Sequence, residues 1–170
     1  MSGHVAIGLG ANLGDPVQTL RAAVDAIDAL PTTTVLVVSD VFRTEPVGGP
    51  PDQPEYANAA ALVETSLAPR ALLRELLRIE AAAGRERLVH HGPRTLDLDI
   101  LWWQGRVIHE PDLQVPHPRL FERRFALEPL LDVMPEPLIA EAVAALPDQG
   151  VRRLGPLLDA TIEAILPEEG

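Results

Sequence analysis

The sequence predicts an α+β protein in which helices pack on a mainly antiparallel sheet. Two observations lead to this prediction. Apolar residues recur at every second position in some segments and at every third or fourth position in others, which indicates both strands and helices. The order of these segments is strand, helix, strand, strand, helix, strand, which is that of a ferredoxin-like βαββαβ sandwich. We expect one domain over residues 1–170, with no role assigned to roughly the last 30 residues.

The first predicted strand and helix lie within residues 4–30. Residues 4–10 form a buried strand that ends in a glycine turn. The helix begins after Asp15, because aspartate is a good N-cap and Pro16 suits the first helical position. Pro31 is expected to end it. The apolar face consists of residues at helical spacing, namely Val17, Leu20, Val24, Ile27 and Leu30.

Two further strands are predicted at residues 33–43, which are rich in β-branched side chains, and at residues 57–65. The connection between them, residues 44–55, contains Pro46-Val47-Gly48-Gly49-Pro50. It is long for a loop inside a compact domain, which predicts a functional or mobile segment.

The second helix is predicted to run from Pro69 to a C-terminal cap at Gly84. A basic loop follows at residues 85–93, and then a strand that reaches Trp103. The remaining predicted elements are a turn at 104–105, a short strand at 106–108, helices near 121–132 and 138–146, and a helix or strand near 157–166.

The composition excludes several classes of function. The chain has no cysteine, which excludes disulfides, thiolate nucleophiles and zinc–thiolate sites. All 14 basic residues are arginine, which excludes a P-loop lysine and a Schiff-base lysine. The net charge of −11 argues against nucleic acid or an anionic membrane as a partner. We expect a cytoplasmic protein, because no membrane-spanning run or signal-like N-terminus is present.

The positive charge is concentrated in one part of the chain. Residues 70–124 hold 10 of the 14 arginines but only 8 of the 25 acidic residues. A local arginine cluster in an acidic protein favours a small anionic ligand over a polymer.

Two acids interrupt the apolar pattern of residues 94–101. Apolar and polar residues alternate there, which predicts a strand with one apolar face. Asp97 and Asp99 therefore project from the same face, with their Cα atoms about 6.6 Å apart. Two carboxylates held that close repel each other, and a hard divalent cation, Mg²⁺ above all, relieves the repulsion. The alternative is an ordinary solvated strand face.

The surroundings of the acid pair favour the metal. Basic residues lie just upstream and downstream of it, and arginines beside metal-binding carboxylates are typical of a nucleotide phosphate site. These residues are Arg85, Arg87, His90, His91, Arg94, His117 and Arg123.

Other candidate residues have a simpler alternative. The glycines of residues 8–14 are spaced Gly-x-Gly-x-x-x-Gly, which does not fit a dinucleotide fingerprint, so a tight turn near a ligand is favoured. Tyr56 and Asn58 share a strand face, where the Asn58 amide could read the amide edge of a heterocycle or simply cap the strand. Glu80 could lie on a solvated helix face, and Phe125 could be a core residue.

Several long motifs resemble those of the 6-hydroxymethyl-7,8-dihydropterin pyrophosphokinases of folate biosynthesis. The most specific motif is Gly92-Pro93-Arg94-Thr95-Leu96-Asp97-Leu98-Asp99, and the likeness extends over about the first 137 residues. The other motifs occur in the same order as in that family, at residues 8–14, 42–46, 52–60, 79–80 with 84–85, and 115–117.

The resemblance implies an enzyme with a ferredoxin-like fold that acts as a monomer, with ATP as co-substrate and two Mg²⁺ ions. Such an enzyme transfers an intact pyrophosphoryl group from ATP to the pterin hydroxymethyl group and releases AMP. Its partners would be these two small molecules alone.

The resemblance also implies roles for individual residues. Asp97 and Asp99 would hold both metal ions, and Arg85 and Arg94 would share the catalytic role with them. The nucleotide would contact Glu80, Arg85, Arg87, Arg94, Ile100, His117 and Arg123. The pterin would contact Thr44, Pro46, Val47, Gly48, Tyr56, Asn58 and Phe125.

Two interpretations from other classes stay open at this point. A non-catalytic ligand-sensing module on the same fold would not need two carboxylates aimed at one point. A dinucleotide-dependent oxidoreductase would leave the arginine loop unexplained. Formation of AMP in the presence of the hydroxymethyl-dihydropterin would separate all three.

Overall fold

The secondary structure follows the predicted order and adds a C-terminal extension to it. The computed structural model describes residues 2–12, 14–44, 55–84 and 96–157. The elements are β1 (Gly3–Ala11), α1 (Pro16–Asp28), β2 (Thr33–Val38), β3 (Asp40–Thr44), β4 (Tyr56–Thr65), α2 (Pro69–Ala82), β5 (Asp97–Trp103), β6 (Ile108–Glu110), β7 (Leu113–Val115), a 3-10 turn (Leu120–Glu122), α3 (Arg124–Val133), α4 (Pro137–Ala145) and β8 (Val151–Pro156).

One antiparallel sheet organises the molecule. Its strand order is β5-β1-β4-β3-β8, and β2 pairs with β4 beyond the end of β3. If β2 and β3 are counted as one broken strand, the first four positions have the order of a ferredoxin-like sheet. The predicted α+β fold, with helices packed on a mainly antiparallel sheet, is confirmed.

The sheet has a hydrophobic core on each face. The first core lies beneath α1 and α2 and includes Leu20, Leu76 and Leu98. The second lies beneath α3 and α4 and includes Leu101 and Leu127. Alternate residues of each strand therefore serve opposite cores. Within the described parts of the chain, no helix is both long and apolar enough to cross a membrane.

The helix ends follow local sequence signals. The Asp15 carboxylate accepts a hydrogen bond from the Gln18 backbone N–H at 3.2 Å, as expected of an N-cap. Gly84 lies just after α2 with a φ of 82°, a left-handed conformation that glycine adopts without strain. Both predicted caps are confirmed.

The single strand predicted at residues 33–43 is two strands, broken at Ser39. The buried Ser39 hydroxyl accepts a hydrogen bond from the Ala60 backbone N–H at 2.8 Å and donates one to the Asp40 carbonyl at 2.7 Å. A serine side chain thus replaces one rung of backbone pairing, which lets the strand bend between β2 and β3.

The C-terminal elements differ more from the prediction. The strand expected at 106–108 begins only at Ile108 and pairs with β7, because residues 111–112 form the turn of a hairpin. The helix expected near 121–132 is a 3-10 turn followed by α3. Strand β8, which precedes the element expected near 157–166, was not predicted, and residues 158–166 lie outside the described residues.

Candidate active site

Asp97 and Asp99 lie at the start of β5, on the sheet face that α3 covers farther along. Leu98 and Ile100 point to the opposite face and are buried in the first core, so the predicted alternation is confirmed. On the neighbouring strand β1, Gly10 pairs with Asp97 and Gly8 with Asp99. The floor beside the two acids is therefore made of backbone without side chains.

The two glycines cannot be enlarged without disturbing their neighbours. A Cβ atom on Gly10 would lie 3.1 Å from Oδ1 of Asn58, and one on Gly8 would lie 3.1 Å from the Leu101 side chain. Both contacts are tighter than ordinary packing. The tight turn expected at residues 8–14 is wrong for Gly8 and Gly10, because both lie within β1. Glycine at these positions keeps the space next to the acids open.

Glu80 holds the strand between the two acids. Its side chain is buried, with 3% exposed, and its Oε2 atom accepts a hydrogen bond from the Leu98 backbone N–H at 2.6 Å. The alternative of a solvated helix face is therefore wrong. The contact ties α2 to the backbone midway between Asp97 and Asp99.

His117 and Arg123 place two basic side chains near the acids. The His117 backbone N–H donates to the Leu101 carbonyl at 3.0 Å, which fixes this loop next to β5. Burial and the charge of Arg123 lower the pKa of His117, while Asp97 opposes the shift. Burial and Arg119 lower the pKa of Arg123, which Asp99 and Asp97 partly offset. These mutual effects require the side chains to lie near one another.

Asn58, Thr44 and Tyr56 form a polar patch next to the acids. Nδ2 of Asn58 donates to Oγ1 of Thr44 at 2.9 Å, and both side chains are buried. Thr44 pairs with Tyr56 across β3 and β4. Burial raises the pKa of the Tyr56 hydroxyl, and the charge of Asp97 raises it further. Asn58 and Asp97 flank Gly10 on its two sides.

A groove runs along the outer edge of β5, beside the acid pair. It has a volume of about 270 Å³ and an apolar base with Asp99 and His117 at its wall. Leu73 of α2 forms one side, and the β6–β7 hairpin forms the other through Pro111, Asp112, Leu113 and Gln114. The Arg70 guanidinium links α2 to the hairpin. It donates to the Asp112 carboxylate at 2.7 and 2.8 Å and also to Glu110.

Comparison with known proteins identifies the family of this chain. A family model described as 7,8-dihydro-6-hydroxymethylpterin-pyrophosphokinase (HPPK) matches residues 6–135. The chain belongs to this family. The expected enzyme class, an ATP-dependent pyrophosphokinase of folate biosynthesis, is thereby confirmed, and the ligand-sensing module and the oxidoreductase are excluded.

Curated relatives of this pyrophosphokinase carry the name 2-amino-4-hydroxy-6-hydroxymethyldihydropteridine pyrophosphokinase. The one from Pseudomonas aeruginosa is 41% identical over 89% of this chain and 96% of its own. The relative from Haemophilus influenzae is 40% identical over 88% of this chain and 97% of its own. The relative from Bacillus subtilis is 44% identical over 86% of this chain and 87% of its own.

Solved structures share the fold at low sequence identity. A crystal structure of the Plasmodium falciparum HPPK-DHPS triple mutant with STZ-DHP matches with a TM-score of 0.65 and 12% identity. The match covers 85% of this chain but only 43% of that longer chain. The likeness therefore extends to the fold of this pyrophosphokinase and no further.

Within the described residues, five of the predicted nucleotide and pterin contacts lie close to the acid pair. The structure brings Asp97, Asp99, His117, Arg123, Thr44, Tyr56 and Asn58 to one region of the sheet. Ile100 lines the groove, and Phe125 lies under Arg123, whose Cζ is 5.4 Å from the ring centre. Six predicted residues lie outside the described ones: Pro46, Val47, Gly48, Arg85, Arg87 and Arg94.

The acid pair has the chemistry of a magnesium ligand set. Among the described residues there is no group of three or more His, Cys, Asp or Glu side chains that could enclose a metal ion. Mg²⁺ does not need such a group, because it commonly takes one or two carboxylates and completes its octahedron with substrate phosphates and water. Two carboxylates on an open glycine floor fit that requirement.

Sequence reasoning missed the groove residues of the hairpin and of α2. Asp112 and Gln114 could not be placed because the β6–β7 hairpin was not predicted, and Leu73 read as an ordinary core residue. The sequence signal was that Glu110 and Asp112 carry charge opposite to that of Arg70. That these residues lie close together depends on the tertiary structure.

Proposed function

We propose that this face of the sheet transfers an intact pyrophosphoryl group from ATP to the hydroxymethyl group of 6-hydroxymethyl-7,8-dihydropterin. The hydroxymethyl oxygen attacks the β-phosphorus and loses its proton to solvent, the bond from that phosphorus to the oxygen it shares with the α-phosphate breaks, and AMP leaves. One observation supports the proposal most: the acids Asp97 and Asp99, the cation Arg123 and the heterocycle-reading group Asn58 converge around Gly10.

Asp97 and Asp99 would together hold two Mg²⁺ ions. The carboxylates share one face, and the charge that they place there attracts cations rather than phosphate. When bound, Mg²⁺ neutralises charge on the phosphate oxygens of the reacting and leaving groups. Glu80 keeps the two carboxylates in register by fixing the Leu98 backbone between them.

The triphosphate would lie between the acid pair and the basic side chains. Arg123 and His117 approach from the loop before α3, and their pKa values respond to the charge of Asp97. The resemblance assigns Arg85, Arg87 and Arg94 to the same phosphates, with Arg85 and Arg94 in the catalytic role. Arginine suits this position because its planar guanidinium binds phosphate oxygens in pairs.

The adenosine would occupy the groove along β5. Its base includes the apolar side chains of Ile100, Leu98 and Leu113, which can pack against a purine. Asp99 and His117 stand at the wall of the groove, so a nucleotide bound there would point its phosphates at the acids. Glu80 lies on α2 behind this strand, where its buried side chain would act on the nucleotide side only through the Leu98 backbone.

The pterin would bind on the other side of Gly10. Asn58 has its Nδ2 committed to Thr44, and its Oδ1 faces the space above Gly10, where it can accept from a ring N–H. Tyr56 and Phe125 supply aromatic surface for the ring. The resemblance adds the loop residues Pro46, Val47 and Gly48 to this pocket.

The remaining features of the proposed enzyme concern its assembly and location. The family resemblance implies action as a monomer. ATP is a cytoplasmic metabolite, which supports a cytoplasmic location. ATP and the pterin are the only partners the proposed site requires.

The direct test measures AMP formed from ATP and 6-hydroxymethyl-7,8-dihydropterin, with Asn58→Ala as the diagnostic variant. We expect this variant to bind the pterin about 1–3 kcal/mol more weakly, because the buried edge of the heterocycle loses its partner. Its ATP affinity should stay unchanged, and Arg94→Ala should show the opposite pattern through loss of a charge-assisted phosphate contact. Calorimetric titration of each variant with each ligand measures both. Equal losses for both ligands in Asn58→Ala would show that the pterin pocket is misplaced.

A pH-linked prediction follows from His117. Its pKa lies below the ordinary value of 6.5 in the protein without nucleotide, so the ring is neutral near pH 7. A neighbouring triphosphate favours the imidazolium and raises this pKa, so binding takes up a proton at pH values between the lower and the higher pKa. Titration with a non-hydrolysable ATP analogue in two buffers of different ionisation enthalpy counts the protons.

His109 provides the control for this experiment, since it is an exposed histidine on β6. His109→Gln should retain the proton uptake and His117→Gln should lose it. Uptake of the same size in His117→Gln and in the unchanged protein would remove His117 from the phosphate site.

A further inference from the structure

The backbone at Arg123 occupies an unusual position in the fold. It follows the 3-10 turn and is the N-cap of α3, with an extended conformation of φ −122° and ψ 107°. N-cap side chains normally accept a hydrogen bond from the first turn of the helix. Arginine has only donors, so Arg123 cannot cap α3 with its own side chain.

Gln149, which lies 26 positions farther along the chain, supplies what Arg123 lacks. Its Oε1 atom accepts a hydrogen bond from the Arg124 backbone N–H at 2.9 Å. Its Nε2 atom donates to the Glu122 carbonyl at 3.0 Å. One side-chain amide therefore binds the backbone immediately before and immediately after Arg123, much as a neighbouring strand would.

The segment that carries Gln149 is itself fixed to α3. The Arg124 guanidinium donates to the carbonyls of Pro147 at 2.7 Å and Leu146 at 2.8 Å. The Gly150 N–H donates to the Asp148 carboxylate at 2.8 Å, directly before β8 begins. The backbone that carries Gln149 is thus fixed on both sides in sequence.

The need for such support comes from the charges around the Arg123 side chain. The guanidinium lies over the Phe125 ring and near Asp97 and Asp99, but the positive charge of Arg119 also lies near it. A long cationic side chain in such a place has competing positions available to it. The backbone from which it extends then decides which groups it reaches.

We infer that Gln149 is a positioning residue for Arg123: it fixes the backbone on both sides of Arg123 so that the guanidinium faces the acid pair. This inference rests on the phosphate-binding role proposed for Arg123. Gln149 lies outside residues 6–135, the span that the family model matches, so the family resemblance assigns it nothing.

The experiment is a double-mutant cycle of Gln149→Met with Arg123→Ala, read as kcat/KM for ATP. Methionine keeps the length of glutamine but has no amide. We expect Gln149→Met to lower kcat/KM about tenfold or more, because small displacements of a catalytic group are costly. In the Arg123→Ala background, the same change should have less than about a twofold effect, since the group that Gln149 positions is gone. Gln104→Met, the same change at an exposed glutamine on the 104–105 turn, is the matched control.

A purely structural role for Gln149 predicts a different pattern. It would lower the free energy of unfolding and reduce activity by the same factor in both backgrounds, which would overturn the inference, as would full activity of Gln149→Met. If Gln149→Met does not fold, Gln149→Glu replaces it, because glutamate keeps the acceptor for Arg124 but cannot donate to Glu122. Arg123→Ala alone reports on the proposed function: normal activity in that single variant would refute the phosphate role of Arg123, and the inference with it.

Discussion

Replacing Asp97 or Asp99 by alanine is expected to abolish turnover without destabilising the protein. Metal neutralisation contributes several kcal/mol to phosphoryl transfer, so kcat should fall by at least about 10³-fold. The free energy of unfolding should stay nearly constant, because the lost repulsion between the two carboxylates offsets the lost attraction to Arg123. Loss of activity without loss of stability is typical of a residue that has a functional role and not a structural one.

AMP formation at saturating Mg²⁺ and urea unfolding of the same preparations measure the two effects. Asp25→Ala is the matched control, since Asp25 is exposed on α1, away from the sheet face that carries the acids. Activity within tenfold of the unchanged protein in either variant of the pair would refute the metal site.

Arg123→Ala should cause the next largest loss, about 10²–10³-fold in kcat/KM for ATP. This is the range found when one preorganised donor to a developing negative charge is removed. Arg123→Lys should recover little of it, because an ammonium cannot reproduce the planar pair of donors. The stability should not fall, since burial of the Arg123 charge is unfavourable and Arg119 repels it.

The control is the neighbouring Arg119→Ala. The Arg119 guanidinium is 61% exposed and pairs with Glu122 at 3.6 Å, so its loss should change kcat/KM by less than about threefold. Equal effects of the two substitutions would mean that general positive charge, and not the position of Arg123, supports the reaction. Steady-state kinetics with ATP varied at saturating pterin distinguishes these results.

The parts of the fold that the sequence predicts are those with local causes. The alternation around Asp97 and Asp99 depends only on the strand period, and the caps at Asp15 and Gly84 depend on a few adjacent residues. The strand period of β4 likewise places Tyr56 and Asn58 on one face of the sheet. These features required no knowledge of distant contacts.

The features that escaped prediction depend on residues far apart in the chain. The break at Ser39 requires the Ala60 N–H, and the burial of Glu80 requires the Leu98 N–H. Strand β8 lacks a strong apolar pattern and is held instead by pairing with β3, where Arg153 bonds to Asp132 and Asp40. A segment rich in charged residues at a sheet edge has the sequence pattern of a loop, and only its tertiary partners show that it is a strand.

Three neighbouring strands place Asn58, Gly10 and Asp97 in one row across the sheet. The strand spacing therefore sets the distance between the two ends of the proposed substrate site. Neighbouring strands are about 4.8 Å apart, so the Cα atoms of Asn58 and Asp97 are separated by about 10 Å, a span that hydrogen bonds of the backbone set. In the proposed site, the heterocycle edge bound by Asn58 and the oxygen that attacks the phosphate would have to match that span. A side-chain substitution can weaken either end, but it cannot change the length between them. In the proposed site, the strand spacing would therefore discriminate against shorter and longer alcohols.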